Sequence, residues 1–228
     1  MNSERMKSMF ENVSTDQLTG LIARGAFDDQ FKTLMQSASE SGEPLSLAFL
    51  DIDHFLQINQ SFGHVGGDQV LQAVAAILQS LAGENTRIAR YGGDEFALIF
   101  PNTEREQAFL ILERIRAEVE SRETFNEIDT NVTITAGIAA YAIDGNTENE
   151  ILRKADQALY RAKKNGRNMI RLAYEEKMAP KTAHFTLTQL ERLTNLAQEE
   201  GVGEAVLLRE ALDDLLLKYG TNDIESPA

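Results

Sequence analysis

The chain contains no cysteine, so disulfides and thiolate metal centres are excluded. No apolar run reaches the roughly 18 residues that a membrane-spanning helix needs. The first residues, Met1-Asn-Ser-Glu-Arg5, carry no apolar stretch of secretory type. These absences predict a soluble cytoplasmic protein with no membrane partner. Cations are also scarce. There are 22 lysines and arginines against 36 acids, and the formal net charge is −14. Such a surplus argues against broad binding to nucleic acid or to anionic membranes. What the chain does have is length and apolar content. Its 228 residues, 43% of them hydrophobic, suffice for one large domain or two small ones with a sizeable core.

Periodicity divides most of the sequence into alternating helices and strands. Phe27, Phe31, Leu34 and Met35 recur at helical spacing. Leu45–Leu50 follows Gly42 and Pro44 and reads as a buried strand. Val70, Leu71, Val74, Ile77, Leu78 and Leu81 form a helical stripe that Gly83 closes. Ala108, Leu110, Ile111, Ile115 and Val119 predict another helix, and the β-branched run Asn131–Tyr141 a strand. Ile151, Leu152, Ala155, Leu159, Tyr160 and Ala162 predict a further helix, closed by Gly166, before a short strand at Asn168–Leu172. The alternation predicts an α/β fold with a mixed central sheet flanked by helices.

One segment stands out chemically. Tyr91-Gly-Gly-Asp-Glu-Phe96 lies between two β-type runs, Thr86–Arg90 and Ala97–Phe100. A Gly-Gly pair between strands predicts a hairpin, because both residues can take positive φ. Asp94 and Glu95 repel one another unless a cation lies between them, which suits a metal or phosphate site. A solvated acidic turn fits the hairpin alone equally well.

The wider pattern resembles the GGDEF family, the diguanylate cyclases that condense two GTP into cyclic di-GMP. The resemblance spans Asp16 to Leu172. It rests on the opening turn Asp16-Gln-Leu-Thr-Gly-Leu21 with Arg24, and on Phe49-Leu-Asp-Ile-Asp-His-Phe55 with Asn59, Gly63-His64 and Gly67-Asp68. Gly92-Gly93-Asp94-Glu95-Phe96 follows, and then Ala155-Asp156 through Tyr160, Lys163, Gly166, Arg167 and Asn168. It implies a nucleotide-cyclase-like fold that binds GTP with Mg²⁺ (or Mn²⁺). Asp51, Asp94 and the Ile52 carbonyl would hold the metal. Asp51 is expected where the strand ends, at the edge where α/β folds bind ligands. Asp94 and Glu95 would be catalytic, with Glu95 taking a second metal or helping to deprotonate the attacking hydroxyl. Backbone amides around His54, Phe55 and Leu56, with Gly92 and Gly93, would lie against the nucleotide, and Lys163 and Arg167 would bind phosphate. Asn59 and Asp68 would read the donor edge of guanine. His54 and His64 are expected to be packed or hydrogen-bonded rather than catalytic.

The departures from the family pattern are specific. Leu56 and Gln60 stand where the family usually has lysine and aspartate, and Ala23 where it has asparagine. Loss of the lysine removes a charge from the triphosphate site, which predicts a reduced rate or affinity. The family's product-inhibition motif, Arg-x-x-Asp, is matched here by Gly83-Glu84-Asn85-Thr86. No product-inhibition site is therefore expected.

The expected organisation is a lead-in over 1–15, the cyclase domain over 16–173, a linker over 174–182, a small module over 183–220 and a tail over 221–228. In the module, Ala183, Phe185 and Leu187 alternate with Thr182, His184 and Thr186, predicting a one-sided strand. Thr188-x-x-Glu191 reads as a capping box. Leu190, Leu193, Leu196 and Ala197 predict one helix up to Gly201, and Leu208, Leu212, Leu215, Leu216 and Tyr219 predict another. Strand, helix, helix resembles the ribbon-helix-helix family, in which two chains pair their strands. That implies a homodimer and offers the two-fold encounter that a two-GTP reaction needs. Members of that family often bind DNA. Residues 180–228, however, hold four lysines or arginines against nine acids, so a nucleic-acid partner is not expected. A non-catalytic GTP-binding regulator and a DNA-binding regulator are the alternative functions.

Overall fold

The computed structural model describes residues 14–173, 183–200 and 203–218. The lead-in before residue 14, the linker at 174–182 and the tail from 219 lie outside the described residues. The chain divides into two units, Met1–Glu176 and Lys177–Ala228.

The first unit is built on β2 (Leu45–Ile52), which is buried along its whole length. Both neighbours are antiparallel to it: β4 (Glu95–Pro101) on one side and β7 (Ile134–Ala140) on the other. The sheet is completed by β1 (Ile22–Ala23), β3 (Arg87–Arg90) and β8 (Ile170–Leu172), in the order β1-β3-β4-β2-β7-β8. The β1–β3 and β7–β8 pairs are parallel, so the sheet is mixed as expected.

Alternation along β2 creates two cores. Leu45, Leu47 and Phe49 pack with residues of α1 (Arg24–Ser41) and α4 (Glu148–Lys164). Ala48, Leu50 and Ile52 pack with residues of α2 (Phe55–Leu81) and α3 (Arg105–Ser121). A small hairpin, β5 (Thr124–Phe125) with β6 (Ile128–Asp129), adds Phe125 to the second core.

Two features of this frame matter for the site. The apolar stripe predicts α2 from Val70, but the helix already begins at Phe55. Most of residues 55–69 are exposed, so that part shows no apolar face to read. Gly63 interrupts it with φ 71° and ψ 175°, a conformation that only glycine adopts readily. Gly137 in β7 is the second feature. A Cβ there would stand 2.1 Å from the Leu159 amide nitrogen and 2.3 Å from the Ala155 carbonyl. The bare backbone at Gly137 lets α4 lie directly on the sheet.

In the second unit, α5 (Leu187–Glu200) and α6 (Glu204–Lys218) are joined by a hydrogen bond from Thr194 Oγ1 to Glu204 Oε1, 2.6 Å. The strand expected at 183–187 is corrected: residues 183–186 are coil, and Leu187 opens the helix. A lone extended segment has no neighbour to complete its ladder. The capping box is also displaced. Thr186 Oγ1 accepts from the Gln189 amide, and Gln189 Oε1 accepts from the Thr186 amide. The cap is therefore Thr186 with Gln189, not Thr188 with Glu191. Phe185, Leu187, Leu190, Leu196, Leu208, Leu212 and Leu215 are exposed on this unit.

Candidate active site

Strand register brings the acids together. Asp51 lies directly opposite Glu95 on β4 and opposite Thr135 on β7. Strand β2 continues through Asp51 to Ile52, so Asp51 is inside the strand rather than beyond its end, and it is only 7% exposed. Two carboxylates facing each other across antiparallel strands destabilise the pair unless a cation intervenes. Lys163, in the last turn of α4, supplies one: its Nζ lies 2.7 Å from Asp51 Oδ2. Burial nevertheless raises the Asp51 pKa to about 6. Lys163 opposes that rise, while Asp94 and Glu95 add to it.

The hairpin tip is held by contacts that the motif did not reveal. Gly92 and Gly93 do not take positive φ, contrary to the expectation for a Gly-Gly tip. Glu95 folds back instead, its carbonyl accepting from the Tyr91 and Gly92 amides at 2.8 and 3.1 Å. A Cβ on Gly92 would stand 2.7 Å from Glu95 Oε2, so the missing side chain makes room for the Glu95 carboxylate. Arg90 Nε and Nη2 both donate to the Gly93 carbonyl, at 3.2 and 2.8 Å. Arg90 is itself oriented by the Asp16 carboxylate at 3.4 Å, which also accepts from the Thr19 amide and hydroxyl. The opening turn therefore clamps the hairpin. The Ile52 amide donates to the Asp94 carbonyl at 3.2 Å and ties the tip to β2.

A second missed residue is Asp53, which is 3% exposed. Its carboxylate accepts from Thr133 Oγ1, Thr135 Oγ1 and the Asn168 amide at 2.8, 2.6 and 3.0 Å. Arg167 and Asn168 both have left-handed backbone, at φ 65° and 46°. Asp53 thereby fastens the turn that carries Arg167. Only its place in the motif Asp51-Ile-Asp53 could have drawn attention to it.

The residues expected to meet phosphate and base lie largely along α2. The amides of Phe55 and Leu56 open the helix, where N–H groups lack intrahelical partners. His54 precedes them at φ 57°. Of the two expected environments for His54 and His64, packed or hydrogen-bonded, packing is corrected: both are exposed. Leu56 is 70% exposed at the helix mouth. Asn59 sits against Gly67, where an added Cβ would stand 2.0 Å from Asn59 Oδ1, and Asp68 is the next residue, exposed. The turn at Gly63 thus brings the two proposed base readers to one place. A cleft of about 370 Å³ is lined by Phe49, Tyr91, Glu95, Leu152, Arg153, Asp156 and Leu159.

The donor set suits a hard cation. Among the described residues no three acids or histidines form a ready-made metal cage. Mg²⁺ commonly takes one or two carboxylates and completes its shell with phosphate oxygens and water. Asp51 and Asp94 fit that incomplete set, and the Lys163 ammonium on Asp51 marks where positive charge is favoured.

A mixed sheet with acids on a central strand and hairpin, beside a helix N-terminus, defines a nucleotide-cyclase-like α/β domain. Residues 13–169 match the family described as diguanylate cyclase, GGDEF domain, and the chain belongs to that family. It is 38% identical over 172 residues to Diguanylate cyclase A of Treponema denticola, covering 72% of this chain and 46% of that one. It is 41% identical over 160 residues to the response regulator PleD of Caulobacter vibrioides, covering 68% of this chain and 35% of that protein. The crystal structure of the GGDEF domain of DgcB from Caulobacter crescentus, in complex with c-di-GMP, matches with TM-score 0.67 and 39% identity. It covers 71% of this chain and 96% of that one. The chain thus spans less than half the length of these two curated relatives. No helix among the described residues is long and apolar enough to cross a membrane.

Proposed function

We propose that the chain is a diguanylate cyclase that converts two GTP into cyclic di-GMP and two pyrophosphates. Each domain binds one GTP, and two domains meet across a two-fold axis. Each 3′-oxygen bonds to the α-phosphorus of the other nucleotide, the bond from that phosphorus to the β-bridging oxygen breaks, and each hydroxyl proton is released. The observation that carries this reading is the register of Asp51 opposite Glu95, with Asp94 on the adjoining tip. Asp51, Asp94 and the Ile52 carbonyl would hold Mg²⁺, which when bound neutralises charge on the triphosphate. Glu95 receives the proton of the attacking hydroxyl. The Phe55 and Leu56 amides, Gly92, Gly93, Lys163 and Arg167 hold the triphosphate. Asn59 and Asp68 select guanine.

The exposed leucines of α5 and α6 support a homodimer through the C-terminal unit, in which residues 183–186, coil in the single chain, would pair with the same residues of the second chain as in a ribbon-helix-helix module. A second reading, a GTP-binding regulator with little turnover, is favoured by one observation. Leu56 puts an exposed apolar side chain where a lysine would meet phosphate. Incubation with GTP and Mg²⁺ beside an Asp94→Ala variant separates the two. Cyclic di-GMP from the parent and none from the variant is expected. GTP binding without product from the parent would establish the regulator.

A further inference from the structure

Lys163 is drawn to two competing anions. It is the expected phosphate ligand, yet its ammonium is already committed to Asp51 at 2.7 Å. A divalent cation on Asp51 would compete with it, because two positive centres on one carboxylate repel each other. We propose that Lys163 is an exchangeable internal counter-ion. It neutralises Asp51 in the free protein and moves to the triphosphate when nucleotide arrives, so the metal enters with the nucleotide and not before it. This ordering rests on the reading of Asp51 as a metal ligand.

Three features support the exchange. Asp51 is buried opposite Glu95, so its charged form is favoured by a neighbouring cation both with and without nucleotide. Lys163 lies in the last turn of α4 with its side chain partly exposed, so the ammonium can leave without unpacking the helix. The helix itself is fixed by its approach to Gly137, which leaves the flexible lysine stem as the moving part. Leu56 adds a reason for the move. The mouth of α2 offers the triphosphate no lysine, so the incoming phosphates draw on Lys163.

The test is Mn²⁺ binding by electron paramagnetic resonance at pH 8, on the full chain, with and without α,β-methylene-GTP. The parent should bind free Mn²⁺ weakly and at least tenfold more tightly with the analogue. Lys163→Met should bind nucleotide-free Mn²⁺ at least tenfold more tightly than the parent while losing affinity for the analogue. Lys163→Arg, which keeps a cation at the position, should bind free Mn²⁺ as weakly as the parent. Asp51→Asn should abolish the tight site in the Lys163→Met background. The proposal is overturned if Lys163→Met binds free Mn²⁺ no better than the parent, or if the parent's affinity is the same with and without the analogue. Either result beside cyclic di-GMP production by the parent removes only the ordering. Absence of both tight Mn²⁺ binding and product removes the assignment of Asp51 as well.

Discussion

Replacing Asp51 with asparagine should stabilise the metal-free fold while abolishing the reaction. The carboxylate titrates near 6 rather than 3.8, chiefly because it is buried, with Asp94 and Glu95 adding repulsion that Lys163 only partly offsets. That rise sets a ceiling of about 3 kcal/mol on the cost of ionising Asp51 in the native state. Water at the mouth and local relaxation reduce this to roughly 1–2 kcal/mol. For a domain of this size that corresponds to a rise in melting temperature of roughly 3–6 °C. The sign follows from linkage. A folded pKa above the unfolded one imposes a penalty that is fully present above about 6 and gone below 3.8. Thermal unfolding in EDTA at pH 7.5 should show the asparagine variant melting higher. The gap should narrow as pH falls through 6 and nearly close by pH 4. A variant that melts at or below the parent at pH 7.5, or a gap independent of pH, would refute the reasoning.

Other outcomes follow from the packing and the departures. Gly137→Ala forces a methyl into the Leu159 and Ala155 backbone and should cost about 1–3 kcal/mol in urea denaturation, with α4 displaced. Truncation after Tyr174 should leave a folded domain, because both hydrophobic cores lie within residues 21–173. That fragment should sediment as a monomer and lose most of its activity at low concentration; full activity per chain there would count against the C-terminal dimer. Titration calorimetry with cyclic di-GMP should detect no sub-micromolar site at Gly83–Thr86, since the arginine and its acid are both missing.

How much of this was legible in the sequence depends on what each residue needs. Buried strands and apolar helices were readable, because Leu45–Leu50 and Val70–Leu81 carry their periodicity in side chains. The first turns of α2 were not, because Leu56 and Gln57 are exposed, Asn59 is half-buried, and the three show no stripe. The motif singles out Asp51, Asp94 and Glu95 as the proposed site acids, but the register that sets Asp51 against Glu95 is a long-range pairing that no local pattern encodes. The same holds for Arg90, whose partners are Gly93 beside it and Asp16 seventy-four positions away. The strand expected at 183–187 shows the converse. The alternation is present in the sequence, but residues 183–186 are exposed coil in the single chain, because a ladder requires a second backbone.

The clamp from Asp16 through Arg90 to Gly93 sets where this domain can be cut. Residues 14–23 close on themselves: the Ala23 amide donates to the Ser14 carbonyl, and Thr15 bridges Ile22. A boundary drawn from the hairpin motif and the first core helix would place the start at Arg24 and discard this loop. Such a fragment would keep every acid of the proposed chemistry and still have a slack tip. Fusions that place this domain behind a sensor should therefore join upstream of Ser14, leaving the loop whole.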